Sequence, residues 1–508
     1  MAQLFKRHRD AVLLVGVTAL VWLCYSQTLS HSFFWDTEHI FSQEAVRSIS
    51  IDNLYWLLTH TVVSNWHPLT LAMHGIDFTL FGADPSGHHL VNVVVHCLVA
   101  IAVFYCVKKI ARFQLDVDGA FFVAAVTTVL FALHPLRVES VAWVAARKDL
   151  LYSLFYLFAV LSYVQYVKAP ADRKPRFYVL ALVFFLASLL SKSMAVTLPA
   201  LLILLDYFPL ARLDLRRSLT YLKHDFLDKL PFVVLSAVIV VVTLMTQSDA
   251  MATQLDLLDQ MRNAIHNVVF YLQRLFVPVG LVPFYSFPEP DVIARTSYWL
   301  PQFLFIVVTT ATAIILAWRG QPLLLTCWFG YLAMLAPASG IIHVGSAAAA
   351  DRYTYLSQLP LLVLIAIISY WLWGRFTTLR RAFVVSAFLG CLTMIAVTYM
   401  QVGHWKNPIT LWSQVLRVNP QASLAHRNLG TAYFVSGDYD KALFHIDSLA
   451  VQGWPVAPLL IESLNATGYQ QEGLDRYRQL LEEPGLSKRQ LRTYAEIVQL
   501  LEAQRETP

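Results

Sequence analysis

The chain has 508 residues, 57% of them hydrophobic and 14% charged, with a formal net charge of +5 and a mean hydropathy of +0.54. These values exclude a disordered chain and an ordinary soluble domain. Apolar runs recur along it, among them Ala11–Leu29, Phe177–Leu190, Pro231–Met245 and Phe383–Met400. A run of about 18 or more such residues is long enough to cross the hydrocarbon core as a helix. The expected class is an all-α polytopic membrane protein whose last hundred or so residues have soluble composition.

Taken in chain order, Lys6, Arg7 and Arg9 precede a first span at 11–29, expected to remain uncleaved because no small-residue cleavage site follows it. Further spans are expected at 89–107, 119–134, 150–167, 176–190, 194–208, 230–246, 299–318, 321–337, 356–373 and 382–401, eleven in all with the first. Segment 262–279 carries Arg262, His266, Gln273 and Arg274, about one polar residue per turn, and is expected to be an interfacial amphipathic helix. With eleven spans and a cytoplasmic N-terminus, Lys108, Lys109, Arg112, Lys174, Arg176, Arg319, Arg380 and Arg381 fall inside, as the positive-inside rule requires. The outer side then receives a long loop at 30–88, a segment at 247–298 and the C-terminal region. Within the first loop, Ile51–Thr61 and Leu69–Phe81 have the patterning of surface helices. The five cysteines all sit in apolar segments and read as small buried hydrophobes.

From about Asn419 the pattern becomes a soluble helical hairpin. Asn428–Tyr433 followed by Gly437–Leu443 fits tetratricopeptide spacing, and a degenerate second unit runs through Leu464, Gly468, Tyr477 and Leu481. A plain helical extension is the alternative. The expected division is a membrane domain at 1–401 and a helical domain at 402–508.

Polar residues collect on the outer face. Asp36 and Glu38, in Trp35-Asp36-Thr37-Glu38, sit just beyond the first span. An acid there can act as general base on a hydroxyl or hold a divalent cation such as Mg or Mn. His67 lies in Asn65-Trp66-His67-Pro68-Leu69-Thr70. His89, Asn92 and His96 share one face of the second span, as a metal or phosphate stripe or as a packed polar seam. Arg147, Lys148 and Asp149 cluster before the fourth span, Lys192 sits in the short turn Ser191-Lys192-Ser193, and Asp351-Arg352 precedes the tenth. Arginine can grip phosphate oxygens bidentately, so cations beside acids suit an anionic, lipid-linked donor. There is no P-loop, no Gly-rich dinucleotide fingerprint and no HExxH motif, and no nucleic-acid partner is expected.

The acid motif after the first span and the Trp-His-Pro-Leu-Thr sequence resemble the GT-C fold of polyprenol-dependent glycosyltransferases. The run Phe131–Asp149, Gly87–Asn92, Ser191–Met194, Leu204–Pro209 and Val344–Tyr355 more narrowly resemble bacterial membrane proteins with tetratricopeptide tails. These are related to the transmembrane and tetratricopeptide-repeat-containing O-mannosyltransferases. The resemblance implies an inverting transfer of a sugar, most simply a hexose, from a polyprenyl-phosphate carrier on the non-cytoplasmic face of the inner membrane. It implies Asp36 as catalytic base, with Glu38 as the second acid of a motif that family members often carry as adjacent acids. It implies Arg147, Lys192 and Arg352 at the donor phosphate, and Glu139 and Asp149 as the acids of the second outer loop; His67, His89, Glu139, Asp149 and Asp351 are expected at acceptor or sugar. A protein acceptor would dock through the tail. A flippase of lipid-linked glycans and a non-enzymatic envelope scaffold are the competing readings.

Overall fold

A computed structural model of the protein describes residues 2–213, 226–246, 256–341 and 347–506. Residues 247–255 of the second outer segment and 344–346 of the Val344–Tyr355 motif lie outside the described residues. The described chain is helical throughout, and β structure is confined to isolated bridges at Val62–Asn65 and Tyr285–Ala349. It divides into two compact units, Met1–Trp405 and Lys406–Pro508.

In the first unit, α1 (Ala2–Tyr25) is followed by the loop helices α2 (Asp36–Ser42), α3 (Ile51–Thr59) and α4 (Pro68–Phe81). Helix α5 (Pro85–Ala111) starts with Pro85 at its first turn and Asp84 accepting from the Ser86 amide, a start signal that needs no tertiary help. It packs against α6 (Val117–Ala132) and α8 (Arg147–Lys168), and α8 packs along α9 (Lys174–Ser191). Val103, Phe104, Ala120, Val123, Leu150, Ala159 and Tyr163 form the core between them, all with essentially no exposure. Helices Thr296–Trp318 and Arg380–His404 are the opposite case. Phe303, Leu304, Val307 and Val308, and Val384, Val385, Phe388 and Leu389, stand exposed. Apolar faces of that extent need lipid or a protein partner against them.

Seven helices among the described residues are long and apolar enough to cross a membrane, and nine qualify if each of two bent pairs is one span. This makes the chain a multi-pass membrane protein. All eleven expected segments are helical, but Ser193–Tyr207 and Leu323–Ala338 are too short to count alone, since a helix rises only about 1.5 Å per residue against about 30 Å of hydrocarbon. The bent pairs are Val117–Ala132 with Pro135–Ala142, at 60°, and Asp351–Ser357 with Leu359–Arg375, at 57°. Pro135 explains the first: it has no N–H, and it holds His134 in an extended conformation (φ −76°, ψ 133°).

The segment expected at the interface forms a helix over Leu257–Phe276 that is not among the candidate spans. Asn263 and Asn267 on it are buried, and the Asn267 amide donates to the carbonyls of Ser339 and Ala348 at 3.0 and 2.8 Å. The helix thus braces the chain entering Asp351. Helix α3 exposes Ile51, Leu54, Tyr55 and Leu58, as a surface helix should. Helix α4 departs from the surface expectation, because it turns His74 and Asp77 into the protein and buries them.

In the second unit, Ser423–Val435 packs on Tyr439–Val451. Gly430 permits the contact, since a Cβ there would meet Ile446 Cγ1 at 2.7 Å. Helices Ala457–Thr467 and Gln470–Leu481 follow, turned by Gly468 at φ +79°. Ile446, Leu449, Leu460, Leu464, Leu474, Tyr477, Tyr494 and Ile497 form one core.

Candidate functional site

The site residues sit where helices break. Asp36 opens α2, and the residue before it, Trp35, has φ 59° and ψ −134°. Bulky side chains rarely adopt a positive φ, and doing so costs about 1–3 kcal/mol. Packing holds it there, with the Trp35 indole stacked on Trp143 at 4.5 Å and 14°. Trp143 is itself in the extended link between α7 (Val138–Ala142) and the turn leading into α8. The consequence is that Asp36 and the first turn of α8 line one small cavity, together with Asn65, His67, His74 and Lys148.

Asp36 is half-buried and forms no ion pair or hydrogen bond among the described residues. Its carboxylate and the half-buried Lys148 ammonium attract each other across the cavity. His67 caps the start of α4 and is almost fully buried. Burial holds its imidazole well below the ordinary value, and the Lys148 and Lys192 ammoniums act in the same direction. His74 is displaced the same way, by burial first and then by Arg147, His88 and Lys148. Both imidazoles are therefore neutral at neutral pH.

Beside the cavity lie two ion pairs. Lys192, extended at φ −161° where α9 ends, places Nζ 2.5 Å from Asp149 Oδ1 and near the rings of Tyr152 and Tyr353. Asp149 is fully buried, and its Oδ2 has no hydrogen-bond partner among the described residues. Arg352 donates from Nη1 to Glu139 Oε1 at 2.5 Å, and its backbone N–H donates to Oε2 at 2.8 Å. Its guanidinium lies 5.6 Å from the Trp143 ring, which links it to the Trp35 stack. Lys148 interacts electrostatically with Asp36, Asp149, Lys192 and Arg352, so these groups share one polar centre.

Other expected site residues lie elsewhere. Arg147 is fully buried and wholly engaged: Nη1 with Asp77, Nε with Asn92 Oδ1 at 2.7 Å, and Nη2 with the His88 carbonyl at 2.7 Å. Its neighbour Lys148 faces the cavity instead. Successive helical residues point about 100° apart, and sequence alone could not say which of the two turns outward. His89 is buried edge-on against His31. Asn92 donates to the Val141 and Trp143 carbonyls, and His96 meets Tyr355 Oη and the Ala132 carbonyl, so these two belong to a packed polar seam. Asp351 accepts from Tyr285 Oη at 2.9 Å. Glu38 is exposed, two residues beyond Asp36 on α2. Positions i and i+2 of a helix diverge, so the two carboxylates leave the start of α2 in different directions. Among the described residues, His74, Asp77 and His88 each place one donor atom within 4.8 Å of the others. Their sequence signal was His74 and Asp77 at i and i+3 on α4, just before the Gly-His-His that opens α5.

No protein-family model matches the chain. Among characterised proteins it is similar to protein O-mannosyl-transferases of animals. It is 27% identical over 401 residues to F38B6.6 of Caenorhabditis elegans, covering 76% of this chain and 52% of that protein. It is 21% identical over 499 residues to human TMTC3, covering 86% and 50%. With Drosophila melanogaster Tmtc1 it shares 29% identity over 199 residues, 37% of this chain and 22% of that one. The chain thus spans about half or less of the length of these relatives. Comparison with solved structures finds the oligosaccharyltransferase AglB of Archaeoglobus fulgidus with an inhibitory peptide and dolichol-phosphate, and ArnT of Cupriavidus metallidurans with undecaprenyl phosphate. The first is 13% identical with a TM-score of 0.44, covering 79% of this chain and 56% of that one. The second is 14% identical with a TM-score of 0.34, covering 96% and 84%.

Proposed function

We propose that this chain is an integral membrane glycosyltransferase with a GT-C-like membrane domain. It moves a sugar from a polyprenyl-phosphate donor to a hydroxyl, on a protein acceptor, at the non-cytoplasmic face of the inner membrane. The observation that carries this reading is Asp36: an acid with no ion pair among the described residues, lining a cavity a few residues beyond the first candidate span, with a lysine across it. The similarity to protein O-mannosyl-transferases supports a hexose and a protein hydroxyl.

In this mechanism Asp36 accepts the proton of the acceptor hydroxyl as its oxygen attacks the anomeric carbon. The bond to the carrier phosphate breaks on the opposite side of that carbon, and the anomeric configuration inverts. Negative charge gathers on the leaving phosphate, where preorganised cations are most useful. Lys148 and the N–H donors of Lys192 and Arg352 that their carboxylate partners leave free are assigned to it. Asp149 and Glu139 hold those two cations in place. His67, neutral, orients the acceptor. Arg147 is assigned to the framework. The second unit is proposed as a tetratricopeptide-like periplasmic dock for the acceptor.

The test is transfer from a polyprenyl-phosphate hexose to peptides in proteoliposomes. Asp36→Asn should reduce turnover by about 10²–10⁴-fold, the usual contribution of a general base, with an unchanged melting profile. Undiminished transfer would remove Asp36 from its role. Truncation after Gln401 should leave transfer to short peptides; its loss in a folded truncation would favour a scaffold.

A further inference from the structure

Below the cavity, α4 and the first turn of α5 bring together three buried groups that the glycosyl-transfer reading does not use. His74 and Asp77 are one turn apart on the inner face of α4, and His88 faces them from α5. All three are at most 1% exposed, and one donor atom from each lies within 4.8 Å of the others.

The hydrogen bonding of this cluster is that of a cation site. His88 Nε2 lies 3.0 Å from the Gly82 carbonyl, which can only accept, so Nε2 carries the proton. In the neutral imidazole Nδ1 is then a bare lone pair. It is buried without a hydrogen-bond partner among the described residues, 3.7 Å from Asp77 Oδ2, too far for a hydrogen bond. A lone pair aimed at a carboxylate repels it unless something positive lies between. His74, neutral, adds one more bare lone pair and one N–H, both buried without a hydrogen-bond partner among the described residues. Three such buried imidazole nitrogens in one cluster are a costly arrangement. A metal-bound histidine commonly donates its other ring N–H to a backbone carbonyl, and a metal-bound carboxylate is commonly held by a further hydrogen bond. Gly82 and Arg147 provide these two features.

We propose that His74, Asp77 and His88 bind a divalent transition metal of the zinc class. Two imidazoles and one carboxylate favour such ions over Mg or Ca, which prefer oxygen ligands. Arg147 balances the Asp77 charge, so the metal carries an excess like that of a three-histidine zinc site. The metal ties α4 to α5 across the Gly82 turn. Because His74 also lines the Asp36 cavity, it fixes one wall of that cavity and acts by positioning.

The experiment uses the full chain in detergent. Metal content is measured by mass spectrometry for the wild type, His74→Gln, His88→Gln and, as a control on the exposed loop, His39→Gln. After chelation each protein is titrated with Co²⁺ and Zn²⁺. Stoichiometric zinc in the wild type and the control is expected. Visible Co²⁺ absorption and a rise in melting temperature with Zn²⁺ but not Mg²⁺ should accompany it, and all of these should be lost in both variants. His74 makes no hydrogen bond, so His74→Gln should fold even if His88→Gln does not. Equal metal content in the wild type and a folded His74→Gln, or chelated wild type that gives neither Co²⁺ absorption nor a Zn²⁺ shift, would overturn the proposal.

Discussion

At the scale of single residues, burial separates framework from chemistry. Arg147 and Arg352 look alike in sequence, but Arg147 has no exposure and three partners, whereas Arg352 is half-buried beside the cavity. Arg147→Met should therefore cost about 3–5 kcal/mol of stability, the usual cost of leaving one buried charge unpaired, and thermal melts should show it directly. A phosphate ligand would instead lose donor affinity with stability unchanged. Lys148→Gln should lower transfer while leaving the melt intact, and Lys148→Arg should restore part of it. The neutral, buried His67 makes a pH prediction. Its folded value lies below the unfolded one, so the unfolded chain binds the proton first as pH falls through about 6.5. Stability should fall below that pH, by up to about 1.4 kcal/mol per unit. His67→Gln should flatten the decline in a melting-temperature profile between pH 7.5 and 5.

At the scale of elements, the chain places charge where regular structure stops. Trp35, Lys192 and the His134–Pro135 break each end or begin a helix, so the side chains beside them emerge at helix ends. Such backbone is tolerated near a membrane only where protein or a cavity surrounds it. These breaks were legible as punctuation, since Pro135 and the acid motif stand out in any apolar sequence. Their pairing was not, because Asp149 with Lys192 and Glu139 with Arg352 join residues far apart in sequence. In the second unit, Gly430→Val should destabilise the Ser423–Tyr439 hairpin by about 1–3 kcal/mol, because it overpacks the Ile446 contact. Faster limited proteolysis of the full chain at that hairpin would report it.

At the scale of the whole molecule, composition and period carry most of what can be read in advance. Each of the eleven segments located by hydropathy is helical, and among the described residues seven to nine helices qualify as spans, because helix length after a proline or a short turn is a tertiary outcome. The orientation proposed from lysine and arginine placement predicts that cysteines introduced at Thr61 and Lys174 react with a membrane-impermeant reagent from opposite sides. Labelling of both from one side would break the topology. The sequence by itself determined that this is a helical multi-pass protein with polar residues at helix ends and a less apolar helical C-terminal region, since hydropathy and helical period act locally. Only the tertiary structure decided which cations face the cavity and which are sealed, and that His74, Asp77 and His88 converge. Those outcomes depend on how helices rotate and cross, and no local pattern specifies that.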